Sequence, residues 1–155
     1  MNTIDDAIAK LLEVEELDTY QGTVTEADVD SIATATGCSL PNDYRQFLLR
    51  FGFAIWVGHS IYGVYDPTDE RFPPSYNFSA VEATLRARAL HQDDPYPFLL
   101  DSLVIDVDGM GGYFLLVSES ADTPNRVMWV NQDETWVLTK SWSTFASFLH
   151  DHASL

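Results

Sequence analysis

Residues 40–64 read LPNDYRQFLLRFGFAIWVGHSIYGV, and the fold turns on how this stretch is parsed. Leu40 ends an extended segment, and Pro41 suits the first helical position, where its missing N–H has no partner to lose. Tyr44, Phe47, Leu48 and Phe51 then recur at i, i+3, i+4 and i+7, one apolar stripe of a helix that Gly52 is able to end with a positive φ. Such a helix is built for burial. Residues 54–56 and 61–65 follow, rich in β-branched and aromatic side chains and punctuated by Gly58 and Gly63, and they predict two short strands around a turn.

In this order and spacing, Leu40, Pro41, Tyr44, Phe47, Leu48, Gly52, Ile61, Tyr62 and Gly63 resemble the signature of the SMI1/KNR4 family, also called SUKH. That signature has Leu-Pro, a Tyr…Phe-Leu helix, a glycine-containing turn and a strand with Ile-Tyr-Gly. The resemblance is strongest over residues 22–150 and continues into a Gly-rich hairpin and a closing helix. One residue departs from it: the family often has small residues after the helix, whereas Phe53 follows Gly52 here and changes what the turn packs against. The resemblance implies an SMI1/KNR4-like α+β fold and a protein-binding role. Many bacterial members are immunity proteins that neutralise a cognate toxin, often a nuclease, and fungal members imply the alternative of an intracellular scaffold or regulatory module.

The chain of 155 residues, 46% of them hydrophobic, fits one domain over residues 1–155 with ample material for one core. Twenty-four acids against eight bases give a net charge of −16, which disfavours nucleic acid and anionic membranes and favours a basic partner or simply high solubility. Cys38 is the only cysteine, so no intrachain disulfide forms and a reducing compartment fits. The N-terminal stretch lacks the basic start and apolar run of a signal peptide, and eighteen apolar residues never run together. A cytoplasmic location is expected, and the oligomeric state is left open.

Outward from the central stretch, Ile4, Ala7, Ile8, Leu11 and Leu12 trace a helix capped by Thr3 or Asn2, with an acidic exit through Glu13, Glu15, Glu16 and Asp18. Thr25 and Asp28 stand at capping-box spacing before a helix that Gly37 ends. Ser79 and Glu82 start a further helix, whose buried face is predicted to carry Phe78, Val81, Leu85 and Ala89. Strands are expected over 103–107, 113–117, 127–130 and 135–138, then a last helix capped by Ser141 with Trp142, Phe145, Phe148 and Leu149 inward. A four-residue turn at 131–134 would set Val130 opposite Thr135 and Trp129 opposite Trp136. The order predicts a single α+β domain, a mainly antiparallel sheet of about six strands with helices packed on one face.

Chemistry-bearing motifs are sparse. Asp106-Val107-Asp108-Gly109 opens like a calcium loop but lacks the third donor and has Leu115 where the closing glutamate belongs, so it reads as a hairpin loop. His59, His91, His150 and His152 form no paired ligand motif and read as surface histidines, the last two near a chain end where fraying is expected. Cys38 has no CxxC partner and reads as a small buried side chain. Neither GxSxG nor a phosphate-cradling glycine loop occurs, so no catalytic residue, metal ligand or cofactor site is assigned. For partner binding the candidates are Asp66, Asp69 and Glu70 with Asp106 and Asp108, and Trp56, whose place at a strand end favours an outward-facing anchor.

Overall fold

The computed structural model describes residues 2–20, 22–65, 68, 77–94, 96–118, 126–132 and 135–155. Along the chain it has α1 (Ile4–Leu11), β1 (Asp18–Thr19), α2 (Glu26–Thr36), α3 (Asn42–Phe51), β2 (Ala54–Trp56), β3 (His59–Ile61) and α4 (Ala80–Leu90). A 3-10 turn (Leu99–Asp101), β4 (Ser102–Val107), β5 (Gly112–Val117), β6 (Val127–Gln132), β7 (Trp136–Trp142) and α5 (Phe145–Ala153) complete it. The architecture is α+β, with antiparallel pairing within each sheet, but the described strands form two sheets, β1-β2-β3 and β4-β5-β6-β7, instead of one.

Helix starts follow local chemistry. Thr3 and Thr25 each accept from the backbone three residues on, at Asp6 and Asp28, whose carboxylates accept the cap residue's own N–H in return. Ser79 accepts from Glu82 N at 3.2 Å, and Gly37 closes α2 with φ 71°.

The central stretch is an interlocking unit. Tyr44, Phe47 and Leu48 are fully buried and Phe51 nearly so, as the stripe predicts, while Pro41 lies one residue outside the helix with φ −62° and ψ 150°. Gly52 takes φ 72° and ψ −62° while Phe53 N–H donates to Phe51 O at 2.8 Å, a γ-turn of the positive-φ kind that side chains disfavour. Tyr44 OH donates to Tyr62 O at 2.7 Å, and Tyr62 N–H donates to Ile105 O at 2.7 Å, which ties the helix to both sheets. Gly63 lies against Gly52 so closely that a methyl group there would collide with the Gly52 carbonyl oxygen. Phe53 is fully buried and stacks on Phe78 with ring centroids 5.1 Å apart. After β2, Val57 and Gly58 (φ 76°) make a tight turn, so the second strand covers His59–Ile61 and not 61–65.

The four-stranded sheet is covered on both faces, against the expectation of one. Leu103, Ile105, Phe114, Leu116 and Val127 join α1, α3 and α5 in the main core. Val104, Leu115, Val117, Met128 and Val130 meet Ala87 of α4 and Leu99 on the other side. The outer edge of β4 is occupied, because Val104 N–H donates to Thr84 Oγ1 of α4 at 2.8 Å.

Three local expectations fail. The inward face of α4 is Ala80, Thr84 and Ala87, while Leu85 and Ala89 are exposed, because close approach to β4 needs small residues. In the last hairpin Gln132 pairs with Trp136 and Val130 with Leu138, then a bulge puts Trp129 opposite Lys140. Trp129 therefore stacks on Phe114 in the main core, and Trp136 packs against the opposite cluster. Finally, Ser141 and Trp142 stay in β7, and Thr144 caps α5 by accepting from Ser147 N at 3.1 Å.

Candidate functional site

Where β3, β4 and α5 converge, the core holds a polar cluster. Asp106 is only 4% exposed; it accepts from Ser60 Oγ at 2.6 Å, and His152 Nε2 lies 3.4 Å from its other oxygen. The His152 ring is flanked by His59, Phe148 and Phe114 at 4.9, 4.7 and 5.3 Å. Burial, and then the neighbouring His152, hold the His59 imidazole below its ordinary pKa. The Ser60 hydroxyl donates its hydrogen bond to the carboxylate, which is not the hydroxyl-to-imidazole order that activates a serine nucleophile. The cluster fastens three elements together.

Two sequence readings are corrected here. His152 and His91 are buried rather than superficial, His91 with its Nε2 3.0 Å from Tyr113 OH, and α5 stays helical through Ala153 instead of fraying at His150. Asp106, read as a surface carboxylate, is an interior acceptor. Among the described residues no group of three or more His, Cys, Asp or Glu is placed to hold a metal ion. Cys38 is buried as expected, with Arg88 Nη2 at 3.4 Å from its sulfur.

Asp108 also serves the fold. Its carboxylate accepts from Met110 N, Gly112 N and Trp129 Nε1 at 2.7, 2.8 and 3.0 Å, holding a hairpin loop in which Gly109 and Gly111 have positive φ. Burial pushes its pKa upward, but these donors outweigh burial and hold it below the ordinary carboxylate value. Asp66, Asp69 and Glu70 lie outside the described residues. Trp56 is 7% exposed and so is no protruding anchor: the tight turn after it folds the indole inward, against His59 and His152 at 5.7 and 5.9 Å.

The surface over that indole is acidic. Pairing of Asp18 with Ile55 brings the loop after α1 beside the β2–β3 tip, and two grooves of about 510 and 430 Å³ run on either side. One is lined by Glu16, Leu17, Asp18 and Ile55, the other by Lys10, Glu13, Val14 and Glu15, and Trp56 and Val57 line both. Glu13, Glu15, Glu16 and Asp18 are exposed, Val57 is 66% exposed, and Lys10 sits 3.5 Å from Glu13. The Trp56 indole N–H is buried without a hydrogen-bond partner. This face is absent from the sequence-level candidates, although its carboxylates are legible as a run; what brings them to Trp56 is a two-residue strand with no periodicity to read.

A smaller cleft between α4, β4 and β5 mixes Glu82 with Arg86 beside Tyr62 and Tyr113, so it presents no single sign of charge. Burial first, with Asp106 adding, pushes the Tyr62 phenol up to about 12. No described helix is long and apolar enough to cross a membrane.

Comparison with known proteins gives two findings. Residues 23–151 match the SMI1 / KNR4 family (SUKH-1). The chain is also similar to a protein named "Immunity protein RhsIB" from Dickeya dadantii (strain 3937), 34% identical over 106 residues, or 64% of this chain. That match spans 56% of the relative's own length.

Proposed function

This chain belongs to the SMI1/KNR4 family (SUKH-1), and on that footing we propose that it is a non-enzymatic protein-binding domain, an immunity protein that neutralises a cognate toxin in the cytoplasm. The likeness to an immunity protein carries the reading, and a net charge of −16 supports it physically. A toxin that attacks nucleic acid needs a basic face to engage phosphates, and a strongly acidic protein is steered to such a face and competes for it. Its Ser60–Asp106–His152 cluster is spoken for by the fold, which also favours binding over catalysis.

Co-expression with any toxin domain found encoded beside its gene tests this. Growth should be restored by the wild-type chain, and in vitro the association rate should fall as salt rises, because steering is screened over a Debye length of about 8–10 Å, while dissociation changes less. Replacing Asp66, Asp69 and Glu70 together by Asn, Asn and Gln should slow association without unfolding the domain. Failure of the chain to restore growth or bind the toxin removes the immunity reading. Association indifferent to both salt and the triple substitution removes charge steering by these three carboxylates.

A further inference from the structure

We infer that His59, His152 and Asp106 form an acid-sensitive latch: below about pH 6 a second imidazolium arrives beside a single buried carboxylate, and the last turn of α5 parts from the β2–β3 hairpin and uncovers Trp56. No partner is needed for the latch to work, so it stands apart from the immunity reading.

Charge counting comes first. Asp106 is the carboxylate of the cluster, with Ser60 Oγ on one oxygen at 2.6 Å and His152 Nε2 3.4 Å from the other. A first proton on the two rings makes a cation that this carboxylate matches. The second makes a cation with no partner left to match it, because the ring centroids of His59 and His152 lie 4.9 Å apart and the charges acting on His59 are those of His152 and Asp106. Like charges at that spacing oppose each other's ionisation. The aromatic neighbours carry no negative charge: Trp56 lies 5.7 and 5.9 Å from the two rings, and Phe148 and Phe114 flank His152.

Charged groups on the elements packed around the cluster are engaged elsewhere. On α1, Lys10 lies 3.5 Å from Glu13, and Asp6 interacts with Thr3 and with His150. Along α5, Asp151 is held by Lys140 and Trp142 of β7. The Tyr62 phenol, pushed up to about 12, stays neutral throughout the range in question. Burial, and then His152, hold His59 below its ordinary 6.5, so the folded chain takes this proton at lower pH than the unfolded chain, and stability present above 6.5 is lost as pH falls through the folded value. Place in the fold decides what gives way. His152 stands in the last turn of α5, just before the cap at Ser154, and His59 starts a three-residue strand after the Gly58 turn. Helix ends and short hairpins of this kind open before core strands do.

NMR of the isotope-labelled full chain, titrated from about pH 8 to about pH 5, reads ring protonation and backbone protection together. His59 and His152 should titrate in two coupled steps. In the second, amide protection factors, corrected for intrinsic exchange, should fall about tenfold over residues 54–61 and 150–153 and at the Trp56 indole proton, while those of β5 and β6 hold. His59→Gln should abolish that loss, because the second cation is never made. His152→Gln should do the same and move the His59 titration to higher pH, since Asp106 then has His59 as its one cation. Should His152→Gln fail to fold, His59→Gln decides the matter alone. A loss of protection that survives His59→Gln, that spreads evenly over the domain, or that does not occur above about pH 5 would overturn the latch, and so would a His59 titration that His152→Gln leaves unmoved.

Discussion

The helix-and-hairpin stretch from Leu40 to Val64 and the acidic loop from Glu13 to Asp18 are built on opposite terms, although the short pairing of β1 with β2 joins them. In the first, Tyr44, Phe47, Leu48 and Ile61 are fully buried, and the two glycines that matter most, Gly52 and Gly63, are pressed against each other. In the second, four carboxylates face solvent around a left-handed Glu16 with φ 57°. Residues that make a family recognisable are here those that hold the backbone in shape. The acidic loop contributes charge instead of packing, and no motif describes it.

Four variants sharpen or break that contrast. Phe47→Ala should cost about 3–5 kcal/mol, read as a fall in the urea midpoint, because it empties a site ringed by Tyr44, Phe51 and Phe145. A negligible shift would mean that the stripe is not the core. Gly63→Ala should cost about 1–3 kcal/mol by forcing the Gly52 carbonyl and Leu48 apart, measured as a lowered thermal midpoint.

Asp108→Asn should lower stability near neutral pH. Its folded pKa lies below the unfolded value, so its contribution is present above the ordinary 3.8 and lost as pH falls through the folded value. The gap in urea midpoint between wild type and variant should therefore close as pH falls below the ordinary 3.8 and through the lower folded value. A gap that widens on acidification would contradict the hydrogen-bond account of this loop. Smallest of all, replacing Glu13, Glu15 and Glu16 together by Gln should change stability by no more than about 0.5 kcal/mol, read as an almost unmoved urea midpoint. Substantial unfolding by that variant would place these acids with the scaffold.

Much of the fold was legible because burial writes periodicity into the chain. The stripe of α3, the capping pairs Thr3–Asp6 and Thr25–Asp28, and the hairpin reading of Asp108 to Gly112 are all local chemistry. What escaped was non-local. The α4 face is made of Ala80, Thr84 and Ala87, which hydropathy ranks below the exposed Leu85 and Leu90, and only contact with β4 reveals it. Register in the last hairpin depends on a bulge at Trp129/Val130 that alternation does not show. Trp56 and Asp106 look superficial in sequence, at a strand end and in an acidic run, yet the convergence of β3, β4 and α5 turns both inward. The candidate surface was legible only as charge.

The two outer edges of the four-stranded sheet are unequal, and that bears on how copies of the chain meet. At β4 the backbone groups of Val104 and Ile105 are taken by Thr84 and Tyr62, whereas β7, with Val137 and Leu138 half exposed, has no strand beyond it among the described residues. A sheet open at one margin is a terminator rather than a repeat unit. If two chains join by strand addition at β7, the pair is related by a twofold axis and leaves no second margin to extend, so growth by this route stops at a dimer and a filament is not reached.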